Sequence, residues 1–215
     1  MNYKAMIFDL DGTLVDTLQD LTDAMNVALT AVGLAPRTAE ECRMMIGNAL
    51  PMFSRRAVGP ENQHLAEPVA GRMRDYYRGH CCDQTAVYPG LLTVIEELRR
   101  RGVRLAVLTN KDQDVAKEIV EHYFGAGVFD DIVGATGHNR IKPDPTTALE
   151  LIAGMRITTD EALFVGDSDV DIQTAAAAGI RSVGVAWGFR GREDLAAANA
   201  DIIVESPAEI LDLLA

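Results

Sequence analysis

The most constraining feature of the sequence is an alternation of helix-type and strand-type segments that runs from residue 91 to residue 204. Apolar residues at helical spacing over 91–98 predict a helix that Gly102 ends. Short apolar runs predict strands at 103–108, 132–134, 162–165, 181–186 and 201–204, and helices are predicted at 112–123, 145–155 and 169–178. Because parallel strands need crossover helices, this alternation predicts an α/β fold with a doubly wound parallel sheet and helices on both faces.

The first part of the chain follows a different pattern. Residues 5–8 predict a buried strand, but residues from about 19 to 79 show helical spacing without strand alternation. The chain is therefore expected to comprise a sheet domain of residues 1–15 and 85–215 and a helical insert of residues 16–84. Because two chain crossings join these parts, hinge motion at Asp16-Thr17 and Val87-Tyr88 is expected.

Two carboxylates mark the end of the first predicted strand. Asp9 and Asp11 are two residues apart, so in an extended chain their side chains point the same way. Like charges this close repel each other unless a cation or a proton lies between them. Gly12 follows and suits a tight turn. An Asp-Gly pair is also common in ordinary turns, so this segment alone could be a strand end closed by a turn.

Further polar groups follow the later strands. Thr109 and Asn110 follow the strand at 103–108, Asp167 and Asp171 follow the strand at 162–165, and a loop places Lys142 before a helix start. In open α/β sheets, ligands bind beyond the carboxyl ends of the strands, so these groups are expected to converge. Taken singly, Thr109 is typical of a helix cap and Lys142 of a solvated surface lysine, but their joint occurrence favours a site.

In their order along the chain, four segments resemble the four motifs of the haloacid dehalogenase-like phosphatase superfamily. The segments are Asp9-Leu10-Asp11-Gly12-Thr13, Thr109, Lys142 and Gly166-Asp167-Ser168-Asp169-Val170-Asp171. The resemblance extends from near residue 4 to near residue 205. It implies a Rossmann-like core with an α-helical cap domain inserted after the first motif. It also implies a Mg²⁺-dependent phosphomonoester hydrolase that works through an aspartyl-phosphate.

The resemblance assigns a role to each matching aspartate. Asp9 is the expected nucleophile. Asp11 is expected to protonate the leaving group and then to activate the water that hydrolyses the intermediate. The expected Mg²⁺ ligands are the Asp9 carboxylate, the Asp11 backbone carbonyl and Asp167, with Asp171 behind them or on a metal-bound water. The role of Asp169 stays open between this site and a helix cap.

The same resemblance implies a cradle for the phosphate group. Lys142 and Thr109 are expected to position the transferring phosphoryl group. The backbone N–H groups of Leu10, Asp11 and Asn110 are expected to complete the cradle, and Gly12 and Thr13 are also expected to bind the substrate. Charge counting agrees with a metal ion, because four aspartates and one lysine would repel a dianionic phosphate. A divalent cation changes that balance more than any side chain could.

Three features of the sequence limit the reactions that this chain is expected to catalyse. Asp11 sets the chain apart from the dehalogenases, whose pattern lacks a carboxylate there. The sugar-phosphate mutases place a histidine five residues after the equivalent of Asp16, where this chain has Leu21. The phosphonate hydrolases use a cap lysine, and residues 17–84 contain none. A hydrolase is therefore favoured over a phosphotransferase or mutase. A non-catalytic phosphate-sensing protein is the other alternative, and it would tolerate loss of the nucleophile, which is present here.

Three stretches of the sequence are similar to bacterial phosphoglycolate phosphatases, at 46–51, 108–111 and 186–190. This similarity implies 2-phosphoglycolate as the substrate. Asn48 could bind it or simply belong to a helix–helix turn. Arg55, Arg56 and Arg190 could bind a substrate carboxylate or lie solvated at the surface. Phosphatases of pyrophosphate, nucleotides and sugar phosphates share these features, so these substrates stay open as alternatives.

The composition and the charge limit which binding partners and which cellular compartment are expected. The formal net charge is −12 and the pI is about 4.7, which argues against nucleic acid or an anionic membrane as a partner and leaves a small phosphorylated metabolite. No secretory signal fits the first residues, no apolar run is long enough to span a bilayer, and three cysteines suit a reducing compartment. A cytoplasmic monomer or homodimer is therefore expected.

Overall fold

The computed structural model describes residues 3–214, and within this range the chain separates into two compact units. Residues 3–15 and 87–214 form one unit, and residues 16–86 form the other. The second junction lies between Ala86 and Val87, two residues beyond the position expected from the sequence. The insertion of one unit within the other means that the chain crosses between them twice.

The strands, numbered along the chain, form one large sheet and one small ribbon. They are β1 (Ala5–Phe8), β2 (Val15–Asp16), β3 (Ala86–Val87), β4 (Arg104–Asp112), β5 (Asp131–Ala135), β6 (Ala162–Gly166), β7 (Arg181–Val185) and β8 (Ile202–Val204). The large sheet has the order β5-β4-β1-β6-β7-β8 and all its pairings are parallel, while β2 pairs with β3. The predicted α/β class with a Rossmann-like parallel sheet is confirmed.

Helices connect the parallel strands in the first unit. They are α5 (Leu91–Arg100), α6 (Gln113–Phe124), α7 (Thr146–Met155), α8 (Asp169–Ala178), α9 (Arg192–Ala197) and α10 (Glu209–Asp212), with a 3-10 turn at Thr159–Glu161. Apolar side chains of α7 and α8 pack on β1, β4 and β6 in one buried cluster that includes Ile7, Leu108, Ile152 and Phe164. The burial of this cluster favours folding of the sheet unit.

The register of the sheet decides where the functional loops emerge. Phe8, the last residue of β1, lies opposite Val107 of β4 and Val165 of β6. The residues that directly follow these positions along the three central strands are therefore nearly level at one edge of the sheet. The loops that follow them leave the sheet at the same edge, which is where ligands bind in open parallel sheets.

Strand β4 is longer than the sequence predicts. The apolar run ends at Leu108, but the strand continues to Asp112, which pairs with Ala135 of β5. The pairing is irregular between Leu108 and Asp112. An irregularity of this kind re-aims side chains, and here it falls on residues 109–111. The polar composition of this segment conceals its strand character from hydropathy alone.

The second unit consists mainly of helices. Its helices are α1 (Leu18–Thr30), α2 (Ala39–Met45), α3 (Ala49–Val58) and α4 (Ala66–Tyr77), with a 3-10 helix at Pro60–Leu65. Thr38 and Glu41 form a capping box at the start of α2, as the Thr-x-x-Glu pattern favours. The buried Asp20 carboxylate accepts hydrogen bonds from the backbone N–H groups of Gln84 and Thr85 and thus ties the end of the insert to α1. Among the described residues, no helix combines the length and apolar character needed to cross a bilayer.

Candidate active site

The loop after β1 is held by its own backbone. The Asp9 N–H donates to Val165 O of β6 at 2.9 Å, and Leu10 O accepts from the N–H groups of Thr13 and Leu14. The Gly12 N–H donates to Val15 O at 2.9 Å, and Gly12 has a φ of +80°, in the region that favours glycine. The loop is therefore tight, and its carboxylates have fixed positions at the edge of the sheet.

Three aspartates converge beyond the strand ends. Asp9, Asp167 and Asp171 are all buried, and one carboxylate oxygen of each lies within 4.8 Å of the others. Asp9 directly follows β1, Asp167 directly follows β6, and Asp171 lies in the first turn of α8. These residues are far apart in the sequence, so the parallel pairing of β1 with β6 is what brings them together.

Lys142 lies among these carboxylates. Its Nζ is 2.6 Å from Asp171 Oδ1 and 2.8 Å from Asp9 Oδ1, and its side chain is only 3% exposed. Its backbone is fixed by the Asn110 side chain, which donates to Lys142 O at 2.9 Å and accepts from the Lys142 N–H at 2.8 Å. Asn110 therefore fixes the backbone of the loop that carries Lys142.

Asp171 is oriented by the start of α8. Its Oδ2 accepts from the Ser168 hydroxyl at 2.6 Å and from the Ser168 N–H at 3.1 Å, which together complete a capping box. Its Oδ1 is the partner of Lys142. Asp169, by contrast, is exposed and accepts a hydrogen bond from Gln173 on the same helix. The geometry thus places Asp171 in the cluster and leaves Asp169 at the helix surface.

The loop after β7 contributes a support for Asp167 that the sequence analysis did not assign. The Phe189 N–H donates to Asp167 Oδ2 at 2.7 Å. A Cβ added to Gly188 would overlap both Asp167 and Gly12 O, so only glycine lets the three segments meet this closely. The adjacent Trp187 indole donates to Thr13 O at 3.2 Å. A Trp-Gly-Phe sequence just after a predicted strand was the available signal for this loop.

A second lysine, Lys111, also belongs to the site and was not among the predicted site residues. Its Nζ lies 2.9 Å from Asp11 Oδ1, and its side chain is 5% exposed. Thr109 is buried, and its hydroxyl accepts a long hydrogen bond from the Lys111 N–H at 3.3 Å. A lysine that follows Thr109-Asn110 directly was a signal for this position, but adjacency alone does not distinguish it from a surface lysine.

The electrostatics of the cluster are those of buried like charges. Burial raises the pKa of Asp9 to about 7; Lys142 opposes this rise, and the negative charges of Asp171 and Asp11 add to it. Burial also raises the pKa of Asp167 well above its usual range, and Asp171 and Asp9 add to that effect. For Lys142, burial by itself lowers the pKa, but Asp171 and Asp9 outweigh it and the net shift is upward. Lys142 is therefore charged, while the carboxylates lack full compensation.

The three-aspartate cluster fits a divalent metal ion. Its donors are carboxylate oxygens, which Mg²⁺ prefers, and their negative charge exceeds what Lys142 supplies. Asp9 Oδ1 is buried and, although close to Lys142, has no hydrogen bond of good geometry. Oδ1 of Asp11 is paired with Lys111, which is compatible with the expectation that this residue binds the metal ion through its backbone carbonyl.

The remaining expected ligands lie in both units. Thr13 is buried, and its hydroxyl donates a long hydrogen bond of 3.5 Å to Asp167 Oδ1. Asn48 belongs to the 16–86 unit, where it precedes α3 and its Oδ1 accepts from Arg56 at 2.7 Å. Arg56 also donates to Met45 O, so within its own unit this arginine supports the turn before α3.

Comparison with protein families gives a match over most of the chain. Residues 6–185 match the family model described as haloacid dehalogenase-like hydrolase. A phosphoglycolate phosphatase from Rhodospirillum rubrum is 35% identical over 98% of this chain and 90% of its own length. A phosphoglycolate phosphatase from Vibrio parahaemolyticus is 32% identical over 99% of this chain and 96% of its own length.

Solved structures share the whole fold. A crystal structure of a candidate phosphoglycolate phosphatase from Lactobacillus delbrueckii subsp. bulgaricus superposes with a TM-score of 0.94 at 32% sequence identity. The superposition covers 100% of this chain and 99% of that chain.

Proposed function

The chain belongs to the haloacid dehalogenase-like hydrolase family, and from this premise we propose that it is a Mg²⁺-dependent phosphatase that hydrolyses 2-phosphoglycolate through a phosphorylated Asp9. The family predicted from the four motifs is confirmed, and so is the enzyme class, a hydrolase of the phosphatase type. The dependence on Mg²⁺, the aspartyl-phosphate intermediate and the substrate 2-phosphoglycolate are proposed.

The observation that carries the proposal is the convergence of Asp9, Asp167, Asp171 and Lys142 in one buried cluster. Phosphate monoester hydrolysis is among the slowest uncatalysed reactions, so it needs a strong and preorganised charge arrangement. A cluster with an excess of carboxylates is suited to a phosphate dianion only when a cation joins it. Mg²⁺ bound by Asp9, Asp167 and the Asp11 carbonyl would neutralise developing charge on the phosphoryl oxygens.

In the first half of the reaction, the carboxylate of Asp9 attacks phosphorus and the bond to the ester oxygen breaks. Asp11 gives a proton to that oxygen, so glycolate leaves as an alcohol. Lys142 and Thr109 hold the phosphoryl oxygens, together with the backbone N–H groups of Leu10 and Asp11. The product of this step is an aspartyl-phosphate on Asp9.

In the second half of the reaction, water hydrolyses the intermediate. Asp11 now lacks its proton, so it accepts one from the water that attacks phosphorus. The bond between the Asp9 oxygen and phosphorus breaks, which releases phosphate and restores both aspartates. The family resemblance is the basis for proposing different tasks for these two carboxylates. Asp9 lies against Lys142 and Asp11 against Lys111.

The 16–86 unit is proposed to act as the cap domain of this enzyme, with Asn48 as a substrate ligand and Arg56 as the residue that orients it. The chain crossings at 15–17 and 86–88 are the proposed hinge. The substrate assignment itself rests on the names of the relatives and on the shared stretches at 46–51, 108–111 and 186–190.

The test is release of phosphate from a panel of 2-phosphoglycolate, pyrophosphate, nucleoside monophosphates, sugar phosphates and p-nitrophenyl phosphate. Each reaction runs with Mg²⁺ and with EDTA. The proposal predicts the highest kcat/KM for 2-phosphoglycolate and no turnover in EDTA. Equal activity on many esters would refute the substrate assignment, and full activity in EDTA would refute the metal dependence.

A further inference from the structure

The site contains two lysines with buried side chains, and each of them contacts different aspartates. Lys142 lies against Asp9 and Asp171, whereas Lys111 lies against Asp11 at 2.9 Å. The Lys111 side chain is 5% exposed and that of Asp11 is 17% exposed. An ion pair that is shielded from solvent in this way is held much more firmly than a surface pair.

The backbone places Lys111 at this position for a structural reason. The irregular segment of β4 carries Thr109, Asn110 and Lys111 in succession, and each side chain has a distinct partner. Thr109 accepts from the backbone of Lys111, Asn110 clamps the backbone of Lys142, and Lys111 reaches Asp11. The same short segment therefore fixes both lysines of the site.

We propose that Lys111 is a positioning residue that holds Asp11 in the orientation needed to give a proton to the ester oxygen. The contact with Oδ1 restricts rotation of the Asp11 carboxyl group. This inference rests on the proposed function, because it assumes that Asp11 exchanges a proton with the leaving group. Proton transfer demands a donor within hydrogen-bond reach of the reacting oxygen, so the orientation of the carboxylate limits the rate.

The leaving group provides a test that distinguishes positioning from general damage. Glycolate is a poor leaving group that needs a proton, whereas p-nitrophenolate leaves readily without one. The value of kcat/KM reports the steps up to and including the first bond cleavage. Loss of correct Asp11 orientation should therefore lower kcat/KM for 2-phosphoglycolate and leave kcat/KM for p-nitrophenyl phosphate nearly unchanged.

The experiment compares wild type, Lys111→Met and Lys111→Arg with both esters in Mg²⁺. Met has nearly the length of Lys without its charge, and Arg keeps the charge. Lys111→Met should lose about 10- to 100-fold in kcat/KM for 2-phosphoglycolate and less than about threefold for p-nitrophenyl phosphate, the scale typical of residues that orient a functional group. Lys111→Arg should recover part of the loss. Lys117→Met, which removes an exposed lysine of α6, is the matched control and should change neither value.

A double-mutant cycle with Asp11→Asn completes the test. If Lys111 acts through Asp11, adding Lys111→Met to Asp11→Asn should cause no further loss with 2-phosphoglycolate. Equal losses for the two esters in Lys111→Met, or losses that simply add in the double variant, would overturn the inference. Failure of the proposed function would look different, because the wild type itself would then release no phosphate from either ester. Thermal unfolding of each variant shows whether a lost activity reflects a lost fold, and Lys111→Arg then supplies the deciding comparison.

Discussion

Replacement of Asp9 by Asn should abolish turnover and, in the absence of metal, make the folded protein more stable. The substitution keeps the size of the side chain and removes a charge that burial opposes. Loss of a nucleophile commonly lowers kcat by at least about 10³-fold. The free energy of unfolding should rise, because the charged form of Asp9 is unfavourable in the folded protein. Burial and Asp171 raise the pKa of Asp9 from 3.8 to about 7, and Lys142 opposes this rise.

The magnitude follows from linkage between proton binding and folding. Below pH 3.8 the Asp9 carboxyl is protonated in both folded and unfolded chains, so it carries no penalty. Between pH 3.8 and about 7 only the unfolded chain ionises, and the free energy of unfolding falls as pH rises. Above this interval the penalty is complete and corresponds to about 4 kcal/mol. The raised pKa already includes the attraction of Lys142, so the net gain in Asp9→Asn at pH 8 is about 4 kcal/mol.

The assay is urea unfolding of wild type and Asp9→Asn in EDTA at pH 8 and pH 4.5. The variant should have the higher free energy of unfolding at pH 8, and the difference should shrink to about 1 kcal/mol at pH 4.5. The matched control is Asp169→Asn, at an exposed carboxylate of α8, which should change stability by less than about 1 kcal/mol at either pH. A variant that is less stable than wild type at pH 8, or a difference independent of pH, would refute the reasoning.

Three further predictions concern the same cluster. Mg²⁺ affinity, measured by calorimetry, should fall about tenfold from pH 7 to pH 6. Binding needs ionised carboxylates, and the pKa values of Asp9 and Asp167 are raised. Equal affinity at pH 6 and pH 8 would contradict this prediction. Gly188→Ala should weaken Mg²⁺ binding or the fold, because its Cβ would overlap Asp167, whereas Gly191→Ala has open space around it and should behave as wild type. Lys142→Met should lower the free energy of unfolding by about 3–5 kcal/mol at pH 8 in EDTA, because it leaves buried carboxylates without their cation; unchanged unfolding in urea would argue against a role in charge compensation.

Much of the fold could be predicted from the sequence because its signals are local. The apolar runs and helical spacings beyond residue 90 match the observed strands and helices closely, and α8 occupies residues 169–178 as predicted. Strand β4 was predicted too short because residues 109–111 are polar. Hydropathy patterns do not predict a strand segment whose side chains lie in a buried polar site instead of the apolar core.

The candidate site was partly predictable for the same reason. Asp9, Asp167 and Lys142 stand in motifs whose order along the chain is distinctive, and the structure brings them together. The supporting contacts of Lys111 and of the Phe189 N–H depend on how three loops meet at the sheet edge. Contacts between loops that are distant in sequence, and a hydrogen bond from a backbone group, leave no pattern that a single sequence reveals.

The central claim, a phosphorylated Asp9, can be tested by direct capture of the intermediate. The protein is mixed with 2-phosphoglycolate and Mg²⁺ and quenched in acid within milliseconds. Borohydride then reduces the acyl phosphate, and mass spectrometry of the peptide that contains Asp9 locates the change. The account predicts conversion of the Asp9 side chain to an alcohol in wild type, and none in Asp9→Asn or in EDTA. Phosphate release with no modification of Asp9 at any quench time would contradict it.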